Sequence, residues 1–269
     1  MRMLVLASVA VIGAVNATSA APAALAAHRA VYDLSLKDAT ERSGIAGMNG
    51  RMVYEFNGSP CDGYTVSFRF VTEIVTADSS RVTDQQTTTY EDIKNRKFDF
   101  STRSFVNQDL DREVRGTASG EASGLQVKLA EPEKTTLELA EARFPTEHMI
   151  ELIEKAKKGE QFYESRIFDG SDDANAAMIT TTVIGAEQKT PETGSDAEKA
   201  GVLAAASFWP VTISYFNDVK TGDGLPVYTI NFKMYENGVT RDLTMDYGDF
   251  VLEGKLAELD MLKSEPCKE

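Results

Sequence analysis

Two histidines, His28 and His148, are the only imidazoles in the chain, so a Ser-His-Asp triad or a histidine general base would have to use one of them. The nearest serine motif, Gly116-Thr117-Ala118-Ser119-Gly120, departs from the G-x-S-x-G elbow, and no S-x-x-K supplies a Ser-Lys pair. The 42 Asp and Glu offer too many combinations for spacing alone to single out a glycosidase pair. Asp169, Ser171, Asp173 and Asn175 fall at alternate positions of a calcium-loop pattern, but the turn position holds Ala174 and the twelfth holds Thr180, not a bidentate Glu. That run reads as a solvated turn. A His/Cys zinc site would consume every His and Cys present or need carboxylate help. The expectation is no catalytic residue, no metal and no cofactor, with a hydrolase or a purely structural scaffold kept as the alternatives.

The remaining reactive groups are Cys61 and Cys267, in Ser59-Pro60-Cys61-Asp62-Gly63 and Glu265-Pro266-Cys267-Lys268. Their meaning depends on the compartment. Arg2 precedes an apolar and small-residue run from Leu4 to Val15, and Ala17-Thr18-Ser19-Ala20 and Ala24-Leu25-Ala26-Ala27 offer small residues for cleavage. This is the three-part pattern of a secretory signal over residues 1–26, cut near Ala20 or Ala26; the run is too short to span a bilayer, which takes about 20 residues. In an oxidising compartment an isolated even pair of Cys is usually a disulfide. Closing so long a loop contributes at most about 5 kcal/mol in the chain-entropy picture.

Residues 27–269 must then form the fold, as one domain. From His28 onward the dominant period is two. Ala30, Tyr32, Leu34 and Leu36 share a face, as do Met48, Met52, Tyr54 and Phe56, and Tyr64, Val66, Phe68, Phe70 and Ile74. The pattern returns at Val211/Ile213/Tyr215 and at Tyr228/Ile230/Phe232/Met234, where Glu236-Asn237-Gly238 signals a hairpin. One segment differs: after Pro145 and the N-cap candidate Thr146, residues Met149, Leu152, Ile153 and Ala156 fall at helical spacing, Ile150 widens the stripe and Gly159 ends it. Glu187 to Ala200 reads as a long loop. A mainly β protein follows: one antiparallel sheet, curled toward an open barrel or bowl, with one amphipathic helix plugging or covering it. The inner face is either filled core or a cavity, with Met149, Ile150, Ile153 and Trp209 as candidate lining; lone Trp residues are more often buried for area than for ligand stacking. The formal charge of −14 disfavours nucleic acid and anionic lipid headgroups.

Several stretches, taken in order, resemble the envelope integrity protein B family of periplasmic proteins from Gram-negative bacteria, long classed as a domain of unknown function. They are His28-Arg29-Ala30-Val31-Tyr32-Asp33-Leu34, Cys61-Asp62-Gly63-Tyr64, Phe144-Pro145-Thr146-Glu147-His148, Phe168-Asp169-Gly170-Ser171, Trp209-Pro210-Val211 and Asp246-Tyr247-Gly248-Asp249-Phe250, closed by Cys267. The resemblance implies a spiral-like β bowl with a helix near its cavity, a Cys61–Cys267 disulfide, and a role in cell-envelope maintenance without known catalysis. It supplies no established ligand, and under it the hydrolase alternative would act on an envelope polymer. The expected partner is a lipid, another apolar envelope molecule or a periplasmic protein.

Overall fold

The computed structural model describes residues 25–171, 173–189, 194–217, 224–263 and 267; most of the expected leader and Asp172 of the calcium-like run lie outside them. The period-two segments become strands as the alternation requires: β1 (His28–Ala39), β2 (Ile45–Ser59), β3 (Gly63–Thr76), β4 (Ser80–Asp92), β5 (Lys97–Val106), β6 (Asp109–Glu121), β7 (Gly124–Glu131) and β8 (Thr135–Leu139). Helix α1 (Pro145–Lys158) leads to β9 (Phe162–Ile167) and β10 (Met178–Ile184). A short helix α2 (Ser195–Lys199) precedes β11 (Phe208–Asn217), β12 (Tyr228–Tyr235), β13 (Thr240–Asp246) and β14 (Phe250–Met261). The stretch expected as plain loop from Glu187 to Ala200 therefore contains a turn and a half of helix. The buried Ala197 and Ala200 explain why: a short apolar face there has core to rest on.

All strands form one 14-stranded antiparallel sheet in the order β8-β7-β6-β5-β4-β3-β2-β1-β14-β13-β12-β11-β10-β9. It is two meanders joined where β1 pairs with β14, His28 opposite Met261. The sheet is curled but not closed by a ladder. Its edges are β8 and β9, and among the described residues a lone parallel bridge, Arg143 to Ile167, links their flanks. The curl shows in contacts between distant strands: Phe168, Ala174 and Ala177, just after β9, pack with Phe98 and Phe100 of β5 and Val127 of β7. Gly170 permits that approach. Its φ is +69°, and a Cβ there would lie 2.5 Å from the Phe100 ring, so no other residue fits without displacing β5.

Because the sheet is a meander, its connections fall at two ends. One end carries α1, α2, the β2–β3 turn and both ends of the described chain. There Cys61 is disulfide-bonded to Cys267, tying the β2–β3 turn to the segment after β14. The other end carries the β1–β2, β3–β4, β5–β6 and β13–β14 turns. Among the described residues, helices cover the first end and only turns stand at the second.

Candidate functional site

The seal is built from the helix outward. Pro145 occupies the first helical position and Phe144 is the N-cap, two positions before the expected cap Thr146. The chain already turns helical at proline, whose fixed φ suits that position. The Glu147 side chain accepts the Phe144 N–H at 3.1 Å. The next two free amides are met from the sheet: Glu91, at the end of β4, accepts the N–H groups of Thr146 at 2.7 Å and Glu147 at 2.9 Å. Glu91 is buried, and burial pushes its carboxyl up to about 7 despite those bonds, with nearby Glu147 adding to the rise. Arg96 grips the same entry through Glu141 at 2.7 Å and the Ala142 carbonyl at 3.2 Å.

The four residues expected to line a cavity are brought together here. Ile153 and Trp209 are buried in one cluster with Leu152, Phe56, Tyr64 and Met234, and Met149 and Ile150 pack half-buried against it. This is filled core, and the helix plugs the curl. The amphipathic stripe specified the plug; it could not say whether space remained beneath it. Neither histidine stands in a cleft. His28 is buried beside Tyr54 and Phe56, its Nδ1 2.8 Å from the Ala26 carbonyl, and burial lowers its pKa. His148 packs against Tyr163, and burial lowers its pKa to about 4. Both are neutral core groups at pH 7. Asp196 on α2 accepts the Leu256 N–H at 3.1 Å and the Asp242 N–H at 3.2 Å, pinning the second helix to the wall. Beside it the buried Arg241 guanidinium lies 4.7 Å over the Phe208 ring, and its Nε donates to the Tyr235 hydroxyl at 2.8 Å. Among the described residues no group of three His, Cys, Asp or Glu is arranged to hold a metal ion.

Concave surface remains at the other end. A cavity of about 240 Å³ sits between Met48, Phe70, Ile74, Phe250 and Leu252 on one side and Thr83, Gln85, Ser104 and Asp111 on the other. Its polar side arises because Thr83 and Gln85, which the register sets beside the inward-facing Thr72 and Phe70, carry a hydroxyl and an amide. The Thr72 and Thr83 hydroxyls lie 2.7 Å apart, and Thr87 and Thr102 are 3.0 Å apart. An aromatic row crosses the adjoining wall, Tyr215 to Tyr228 at 4.3 Å, Tyr228 to Tyr247 at 5.9 Å, and Tyr247 to Phe250 at 5.0 Å, the last two rings reaching the cavity. Alternation in the sequence names Met48, Phe70 and Ile74 as inward-facing. It does not show that the facing Thr83, Gln85 and Ser104 are too small or too polar to fill the space left beside Phe105 and Val106.

No helix among the described residues is long and apolar enough to cross a membrane. The family model described as EipB-like matches residues 19–263. A Brucella abortus (strain 2308) protein named cell envelope integrity protein EipB is 51% identical over 251 residues, covering 93% of this chain and 89% of that protein. The crystal structure of a beta-barrel-like protein of domain of unknown function DUF1849 from Brucella abortus superposes with a TM-score of 0.87 at 50% identity, covering 90% of this chain and all of the other.

Proposed function

The chain belongs to the EipB-like family, and from that premise we propose that it is a periplasmic, non-enzymatic protein that sustains the cell envelope by binding a molecule at the open mouth of its β bowl. One observation carries the reading: the fold spends two helices and a disulfide sealing one end and leaves a largely apolar cavity of about 240 Å³ open at the other. A monomer gains stability by covering apolar surface, so an uncovered apolar concavity marks a place for a partner. Burial of both histidines in aromatic core, and the absence of a nucleophile motif from the sequence, support binding over catalysis. The relative's name, an envelope integrity protein, supplies the cellular setting.

Filling the mouth tests this. Ser104→Trp places an indole in the cavity from a half-buried position on β5. The variant is expected to keep its melting temperature within a few degrees yet fail to restore detergent resistance to a strain lacking the protein. Full restoration by a folded Ser104→Trp protein removes the mouth as the working site.

A further inference from the structure

We propose that the mouth takes one bulky apolar side chain of a polypeptide whose flanking residues are positively charged; this deepens the reading of the mouth as a binding site and rests on it.

Size sets the first limit. Pockets that enclose small-molecule ligands run from about 300 to 1,000 Å³, whereas a cavity of about 150 Å³ already holds a benzene ring. The cavity of about 240 Å³ therefore suits a single aromatic or large aliphatic side chain. Its apolar wall includes Met48, an unbranched side chain that adapts to differently shaped guests. The facing Thr83, Gln85 and Ser104 supply donors and acceptors where the guest's own peptide groups would pass. The apolar surface continues onto the rim, where Leu110 is 55% exposed and Tyr247 38% exposed.

Charge sets the second limit. Asp111 lines the cavity, and exposed Asp78, in the β3–β4 turn, Asp109, at the start of β6, and Asp246, at the end of β13, lie at the same end; none of these four forms an ion pair among the described residues. Two arginines at this end are already engaged, Arg42 by Asp249 at 2.9 Å and Arg112 by Asp173 at 3.8 Å, and among the described residues exposed Arg81 and Lys37 are further cations at this end. The excess is acidic, in line with the net charge of −14 of the whole chain. Such a field draws cationic partners and repels anionic lipid headgroups.

The test is isothermal titration calorimetry of the full protein with the acetylated, amidated pentapeptide Lys-Lys-Phe-Lys-Lys. Replacing its Phe by Ser, or its four Lys by Glu, should each weaken binding on the order of tenfold or more. Raising salt from about 0.05 to 0.5 M should weaken it on the order of tenfold, because exposed charges are screened. The pair Asp109→Asn and Asp111→Asn should weaken it severalfold without loss of fold, and Ser104→Trp should abolish it. Equal affinity for the lysine and glutamate peptides, retention of binding by the Phe-to-Ser peptide, or binding of phosphatidylcholine vesicles with no peptide binding each overturns the proposal. If Ser104→Trp fails to restore envelope function while no peptide binds, the cationic guest is wrong and the mouth stands. If Ser104→Trp restores function, the mouth reading fails with it.

Discussion

Glu91 is where two physical effects of opposite sign meet, and changing it to Gln shows which dominates. The carboxylate accepts two amides at the start of α1, where the helix dipole favours a negative charge. Burial acts the other way and prevails, lifting its pKa from 4.5 to about 7. A folded-state pKa above the unfolded one means that the fold prefers the neutral acid. This stabilisation is complete below about pH 4.5 and is lost as pH rises through 7. Integrated from pH 5 to pH 8, the loss is about 2.5 kcal/mol. The wild-type curve alone hides it. His148, lowered from 6.5 to about 4, binds protons more readily when unfolded, so its contribution is complete above 6.5 and is lost as pH falls toward 4. The readout is therefore the difference between Glu91→Gln and wild type in urea unfolding, followed through Trp209, the single indole, packed in the cluster beneath α1. At pH 5 the variant should be the less stable by about 1–3 kcal/mol, because its amide NH2 faces a second donor. By pH 8 the difference should move about 2.5 kcal/mol in the variant's favour, a relative midpoint shift of about 1 M urea. A difference independent of pH, or one growing against the variant as pH rises, would mean that the helix amides hold Glu91 ionised and that the desolvation argument is wrong.

Three further outcomes are expected. Cys61→Ser or Cys267→Ser should cost about 2–4 kcal/mol of stability while leaving the fold attainable; a melting temperature unchanged by reductant contradicts this. Ile153→Ala should cost about 3 kcal/mol, or roughly 6 to 12 °C in melting temperature, with no effect on binding at the mouth, since Ile153 is fully buried in the plug. Loss of binding in a variant of unchanged stability would return the helix to the candidate site. Finally, where the leader is cleaved as the sequence predicts, N-terminal sequencing should give Ala21, not Ala27: Leu25 is buried, and its Cδ2 stands with the Met149 sulfur against Gly238, so cleavage after Ala26 would discard a core side chain.

The strands and the helix were legible because each is written in a local period: alternation exposes one face of a strand, and the run Met149, Leu152, Ile153, Ala156 exposes one face of a helix. Whether those faces meet anything is a non-local question. Ile153 and Trp209 lie 56 positions apart in the chain and fill the same space because α1 enters the curl between the β8 and β9 edges. No pattern within either segment announces that. The mouth escaped detection for the complementary reason. Its apolar side, Phe70 and Ile74, reads as an ordinary buried strand face, while its polar side, Thr83, Gln85 and Ser104, reads as a surface. A cavity exists where an inward apolar face is opposed by inward polar residues too small or too hydrophilic to fill it. That condition belongs to a pair of strands, β3 and β4 in register from Tyr64 opposite Glu91 to Val75 opposite Ser80. The same register aligns Thr72 with Thr83 at the cavity wall and sets Glu91 at the far end of β4, against the plug. One strand thus serves both ends of the bowl: its hydroxyls keep the mouth unfilled, and its terminal carboxylate seats the helix that closes the floor.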